Sequence, residues 1–162
     1  GGVTRISMGV QTFSPDIMKA LGRRHTVEKV FSAYSILREK AAFAVNLDLL
    51  FGAPGQTLEM WELDLRTAAE LEPEHLSTYC LTFEEDTAMY VRLSEGKVKL
   101  DVEREAEFYE KAWNLLPKLG YPQYEVSNFS TQLFPHQPVL TPASTQEASQ
   151  GSPFPLLPFC SI

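Results

Sequence analysis

The sequence predicts an α/β domain of parallel strands linked by helical crossovers. Apolar and polar residues alternate over residues 5–11 and again over 45–51, the two-residue period of a strand with two unlike faces. Between and after these runs, apolar residues recur at three- and four-residue intervals, the mark of helices with one buried face. A strand–helix–strand–helix–strand order at this spacing requires right-handed crossovers, and so parallel strands.

Each element has its own signals. Residues 5–11 form a short strand. Ser14-Pro15-Asp16 opens a helix, with Ser as cap and Pro in the first turn, and Gly22 closes it. Thr26 caps a longer helix whose stripe is Val27, Val30, Tyr34, Leu37 and Ala41. Residues 45–51 are the second strand, and Gly52-Ala53-Pro54-Gly55-Gln56 is the turn after it. Thr57 caps the next helix, with Leu58, Trp61, Leu65 and Ala68 on its apolar face. Residues 76–82 read as a third strand, 87–95 as a short helix ending at Gly96, and 121–126 as a last strand. Asp101 caps a long helix whose expected stripe is Val102, Ala106, Tyr109, Trp113 and Leu116.

Composition changes near residue 130. Residues 131–162 hold six of the eleven prolines, no Lys or Arg and a single acidic residue, Glu147. Such a stretch has no periodic apolar face to offset the entropy of ordering, so residues 1–130 are expected to be the folded part and 131–162 a disordered tail. The formal charge of −7 argues against a nucleic-acid footprint, which needs a basic patch. No apolar run approaches the roughly 18 residues of a membrane span. The two cysteines, Cys80 and Cys160, form no CxxC or CxxxC pattern, so neither a disulfide framework nor a cysteine metal site is legible.

The strands suggest where chemistry sits. In the first, Ile6, Met8 and Val10 point one way, and Arg5, Ser7, Gly9 and Gln11 the other. In the second, Val45, Leu47, Leu49 and Phe51 oppose Asn46, Asp48 and Leu50. A parallel strand covered on both sides should be apolar throughout. A polar face means either a barrel lumen that binds something or an open sheet with one wet face. Asp48 is the sharpest residue, because a carboxylate in Val-Asn-Leu-Asp-Leu-Leu-Phe is costly unless hydrogen-bonded or paired. Ligand hydroxyls, as on a ribose, would satisfy it; so would an ion pair with Arg5 or Arg23. Gln11 stands at the carboxyl end of its strand, the functional rim of a parallel barrel, where its amide could meet a nucleoside-like ligand or cap the turn. Arg23 could grip a ligand carboxylate or lie on the surface. The turn at residues 52–57 lets backbone approach a ligand at a helix amino terminus, yet it is neither GxGxxG nor Walker. His25, His75 and His136 have no metal-site spacing, and Ser7 and Ser77 lack a hydrolase context.

Five blocks in order then carry a resemblance. Arg5-Ile6-Ser7-Met8-Gly9-Val10-Gln11-Thr12-Phe13 is similar to R-[IL]-S-x-G-V-Q-[ST]-F, and Leu21-Gly22-Arg23-Arg24-His25 to L-G-R-x-H. Asn46 to Thr57 resembles N-x-D-L-[IM]-[FY]-G-[LA]-P-[GN]-Q-T. Leu71-Glu72-Pro73-Glu74-His75-Leu76-Ser77 and Tyr124-Glu125-Val126-Ser127-Asn128-Phe129 match as well. The chain resembles radical S-adenosylmethionine (SAM) proteins of the HemW and coproporphyrinogen III dehydrogenase type, most of all the animal mitochondrial members of the HemW branch.

The resemblance implies a partial (β/α)6, TIM-like barrel, of which this chain would supply strands four to six. It implies a [4Fe–4S] cluster held by a CxxxCxxC loop, and SAM at the barrel rim. By position, SAM contacts fall on Gln11, Arg23 and Asp48, with Asp48 at the ribose hydroxyls, and a further contact near the adenine on Thr82. In the HemW branch the implied role is binding haem and passing it to an acceptor protein. In the other branch it is oxidative decarboxylation of a porphyrin. A mitochondrial location follows if the eukaryotic likeness holds, and a cytoplasmic one otherwise. The chain lacks the cluster loop, and Ser130-Thr131-Gln132-Leu133 departs from the family's basic segment and H-N-x-x-Y-W motif. The expectation is a piece of such a protein, with an inactive truncated form as the alternative.

Overall fold

The computed structural model describes residues 3–39, 43–82 and 102–131. In chain order these form β1 (Arg5–Gln11), α1 (Pro15–Ala20), α2 (Val27–Glu39), β2 (Ala44–Phe51), α3 (Leu58–Glu70) and β3 (His75–Cys80). Then come α4 (Val102–Leu115), a 3-10 turn (Leu116–Leu119), β4 (Gln123–Glu125) and β5 (Asn128–Ser130). The expected helix at 87–95, the Asp101 cap, Ala41 and the proline-rich stretch lie outside the described residues, Thr131 apart.

The strands make one sheet in the order β1-β2-β3-β5-β4. β1 pairs with β2 and β2 with β3 in parallel, as the crossovers require. The last strand differs from expectation. Residues 121–126 do not form one strand; β4 and β5 fold into a hairpin, and β5 runs antiparallel against β3. Short polar runs around Ser127-Asn128 hide a strand only three residues long, and its pairing comes from β3, far away in sequence.

Local chemistry fixes the helix starts. The Ser14 hydroxyl accepts from the Ile17 N–H at 3.4 Å, and that of Thr57 from the Met60 N–H at 3.2 Å. All four odd-numbered residues of β2 from Val45 to Phe51 are fully buried under the helices. Phe51 is the hub: its ring meets Trp61 at 5.3 Å, Tyr109 edge-on at 4.6 Å and Phe108 stacked at 6.0 Å. The Trp61 indole N–H donates to the Phe108 carbonyl at 3.0 Å and ties α3 to α4.

That tie corrects the expected stripe of α4. Phe108, Ala112 and Leu116 are buried, whereas Ala106 and Trp113 are exposed. The helix carries two apolar stripes one residue apart, and contact with Phe51 and Trp61 selects the one that contains Phe108.

The amino ends of the strands are clamped by a polar cluster not foreseen in the sequence. Glu74, just before β3, accepts from the Val45 N–H at 2.7 Å and from Arg38 at 2.8 Å. Arg38 also donates to the Tyr34 hydroxyl at 2.8 Å and to the Glu72 carbonyl, and Tyr34 donates to the Leu71 carbonyl at 2.6 Å. Burial pushes the Glu74 carboxyl up, but the Val45 N–H and Arg38 outweigh it, so it lies below its ordinary 4.5. A lowered folded-state value stabilises the fold above the ordinary pKa and is lost as pH falls through the folded one. Glu74→Ala should therefore cost about 2 kcal/mol in urea unfolding at pH 7. The gap from the wild type should narrow as pH drops below 4.5.

Candidate binding site on the polar face of the sheet

Opposite the helices, β1, β2, β3 and β5 present a polar face. Register places Ser7 beside Asn46, Gly9 beside Asp48, Asp48 beside Ser77 and Ser77 beside Asn128. The side chains join in a row. The Asn46 amide donates to Asp48 at 2.7 Å and to the Ser7 hydroxyl at 3.3 Å. The Ser77 hydroxyl lies 3.0 Å from the Asn46 amide oxygen and 2.7 Å from that of Asn128, and Asn128 donates to Glu125 at 2.8 Å.

Asp48 is half-buried at the centre of this face. Among the described residues it forms no ion pair with Arg5 or Arg23. Burial raises its carboxyl above the ordinary 3.8, while the Asn46 hydrogen bond and the charge of Arg5 pull it back down. The carboxylate is thus held by one amide and keeps accepting capacity for a ligand.

Gln11 reaches the same place by an unexpected backbone. Pairing with β2 jumps from Gly9–Asp48 to Gln11–Leu49, which leaves Val10 as a bulge, and Gln11 has a φ of +71°. Such a left-handed residue costs about 1–2 kcal/mol. A Cβ on Gly9 would stand 3.0 Å from the Gln11 side-chain nitrogen, so the Gln11 side chain folds over Gly9, the strand partner of Asp48. Thr82 is exposed just past the carboxyl end of β3, on the same rim, and Gly52 turns the chain there with a φ of +78°. Arg23 is exposed beyond α1, and no described contact joins its side chain to the others.

One residue of this rim escaped the sequence reading. Asp64, on α3, is 1% exposed. It accepts from the Thr12 hydroxyl at 2.8 Å and from the Phe13 N–H at 2.7 Å, the two residues directly after Gln11. Thr12 in turn accepts from the Ser14 N–H at 3.0 Å. Asp64 thus staples the corner after β1 to the helix after β2. The signal was present: Asp64 sits between Trp61 and Leu65 on the apolar stripe of its helix.

The family model of the radical SAM superfamily matches residues 1–68. The heme chaperone HemW of Bacillus subtilis is 42% identical over 130 residues, 80% of this chain and 34% of that protein. The chain belongs to the HemW-like radical SAM family. The HemW of Escherichia coli is 40% identical over 80% of the chain and 33% of its own length. The mitochondrial radical SAM domain-containing protein 1 of Danio rerio is 34% identical over 80% and 29%. The two bacterial proteins share more residues with this chain than the fish one does, so identity does not favour a mitochondrial branch over the bacterial one. The chain spans about a third of the length of the curated relatives it matches.

The radical SAM fold is also seen in three dimensions. Coproporphyrinogen III oxidase (HemN) of Escherichia coli, a radical SAM enzyme, superposes with a TM-score of 0.66 at 26% identity, over 80% of this chain and 30% of that one. The archaeal Elp3 of Methanocaldococcus infernus gives 0.64 at 27%, over 73% and 28%. In this HemW-like chain the described sheet is α/β with a parallel core and is not closed.

Burial pushes the Asp64 carboxyl from 3.8 to about 6, against the opposing pull of the Phe13 N–H and the Thr12 and Gln56 side chains. A raised folded-state value favours the folded protein below the ordinary pKa, and that advantage is lost as pH rises through about 6. Asp64→Asn keeps an acceptor for Phe13 and removes the titration. Urea unfolding from pH 4 to 8 should show the wild type losing on the order of 3 kcal/mol relative to Asp64→Asn. Parallel stability curves would exclude this role.

Proposed function

We propose that this chain carries part of the SAM-binding rim of a HemW-type haem chaperone. Asp48 carries the reading. It is a half-buried carboxylate with one amide partner, in register with Gly9, over which the Gln11 side chain lies. A vicinal diol donates two hydroxyls, and an ionised carboxylate that accepts them makes charge-assisted hydrogen bonds. Gln11 can both donate to and accept from the nucleoside beside it. Thr82 on the same rim would meet the adenine end, and Arg23 would reach the methionine carboxylate. The residues present fit SAM in this sense.

The cluster is a different case. Among the described residues no three of His, Cys, Asp and Glu gather as a metal site, and the two cysteines of the chain have no CxxxCxxC spacing. This chain's own residues do not fit a [4Fe–4S] cluster.

Haem or another porphyrin is the proposed cargo, with a haem-accepting protein as partner, on the strength of the identity with the HemW chaperones. The location follows the parent: cytoplasmic as a bacterial protein, mitochondrial as an animal one. No described helix is long and apolar enough to cross a membrane. The likeness to HemN favours a second reading, a radical SAM enzyme acting on a porphyrin.

Calorimetry with SAM tests the rim. Asp48→Asn should weaken binding by about tenfold or more, the worth of a charge-assisted hydrogen bond; equal affinity would refute the ribose role. Haem titration and coproporphyrinogen III consumption in the full-length protein separate the two readings. Haem binding without consumption supports the chaperone, and consumption without haem binding replaces it.

A further inference from the structure

Three polar side chains are buried together behind the rim. Thr12 and Gln56 have no exposure, and Asp64 is 1% exposed. Asp64 accepts from the Thr12 hydroxyl and the Phe13 N–H, at the corner after β1. The Gln56 side chain gives it a further hydrogen bond. The rest of that amide is engaged as well. Its nitrogen donates to the Leu50 carbonyl at 3.3 Å, and its oxygen accepts from the Ala53 N–H at 3.2 Å. Leu50 and Ala53 flank the turn after β2, where Gly52 has a φ of +78°. The amide cannot be reversed, because its oxygen would then face the Leu50 carbonyl and Asp64.

This node joins two corners of the rim. One begins at Gln11, whose φ of +71° is unfavourable on its own. The other ends the strand of Asp48, and there the Phe51 carbonyl accepts from the Leu81 N–H at 2.8 Å, next to Thr82. The partners of Asp64 are all donors: a hydroxyl, a backbone N–H and an amide. An ionised carboxylate accepts from all three at once, whereas a neutral carboxyl turns one of its oxygens into a donor. Burial nevertheless works against the ionised form. Stability alone does not account for a charge at this place.

We propose that Asp64 and Gln56 are positioning residues of the ligand rim, which hold the corners after β1 and β2 from behind in the one arrangement that lets Gln11, Asp48 and Thr82 meet a single ligand. This rests on the SAM reading of the rim and adds to it two residues that no ligand atom touches. With Asp64 ionised, charge-assisted hydrogen bonds fix the corner that begins at Gln11. With Asp64 neutral, that hold weakens, and Gln11 is free to leave its left-handed backbone. Affinity then falls in proportion to the molecules that leave it. Stability and affinity answer to pH in opposite directions. As pH rises through about 6, the chain loses the stability of the neutral form and gains affinity for the ligand.

The charged groups around the node lie outside it. Among the described residues, no charged side chain is a hydrogen-bond partner of Asp64. On its own helix, Glu59 is exposed and Glu62 turns to Arg66 and Lys111. Asp16 of α1 is exposed, and Arg104 of α4 donates to the Gln56 carbonyl. Asp48 of β2 belongs to the opposite face of the sheet. His25 follows α1, and His75 opens β3.

Two measurements on the 162-residue chain test this. The first needs no ligand. Amide NMR from pH 5 to 7.5 should show the Gln11 side-chain amide and the Ala53 N–H moving with one shared midpoint near 6, and both flat in Asp64→Asn. Separate midpoints, or a titration that persists in Asp64→Asn, overturn the proposal. The second is calorimetry with SAM over the same range. At pH 7.5 the wild type should bind about fivefold more tightly than Asp64→Asn, and the gap should close toward pH 5. Asp48, His25, His75 and SAM itself are the same in both proteins, so the difference isolates Asp64. Over this range the wild type loses stability relative to Asp64→Asn while its relative affinity rises; a merely structural Asp64 would move both the same way. Equal affinity at pH 7.5, or a gap that does not change with pH, overturns the proposal. A chain that binds no SAM at any pH overturns the SAM reading instead, and the shared amide titration then decides the node by itself.

Discussion

The structure depends on the two unlike faces of β2. Its odd-numbered residues, Val45, Leu47, Leu49 and Phe51, have no exposure and hold the helices through Phe51 and its aromatic partners. Its even-numbered residues Asn46 and Asp48 stand on the other side of the same backbone. A strand period of two makes these roles inseparable, because a one-residue slip would bury Asp48 and expose Leu47. Hydrophobic packing on one face thus sets the register that places the carboxylate on the other.

The two ends of the sheet divide the remaining work. At the amino ends, Glu74 and Arg38 bind each other and backbone groups of two separate segments, and lock the strands to α2. At the carboxyl ends, Asp64 fixes the corner after β1, directly beside the left-handed residue Gln11. An isolated Gln would leave that conformation. A buried carboxylate that accepts from the next two residues gives the neighbouring backbone one place to be. The cost is an acid that would rather be neutral, which is why the staple is sensitive to pH.

Much of this was legible in the sequence. Alternation in β1 and β2 gave both faces, and Asp48 stood out because it broke an apolar run. Ser14 and Thr57 marked their helix starts by cap chemistry that acts within three residues. What stayed hidden was long-range. β5 is too short to show a period, and its partner β3 lies some fifty positions away. The α4 stripe was ambiguous by one residue, and only contact with Phe51 decides it. Asp64 stands on the apolar stripe of its helix, but its partners Thr12 and Phe13 meet it only across the fold. Gln11 ends its strand, as its position in the sequence suggests, but the bulge before it leaves no mark in residue type. The placement of Gln11, Arg23, Asp48 and Thr82 around one ligand is the part that rests on resemblance.

The polar, even-numbered face of β2 is the proposed ligand face. Titration of isotopically labelled chain with SAM, read residue by residue in amide and methyl NMR spectra, tests it most directly. Shift changes are expected at Gly9, Gln11, the Asn46 side-chain amide and Asp48, with the methyl groups of Leu47 and Leu49 unmoved. Changes centred on those methyls, or on the helices that cover them, would contradict it.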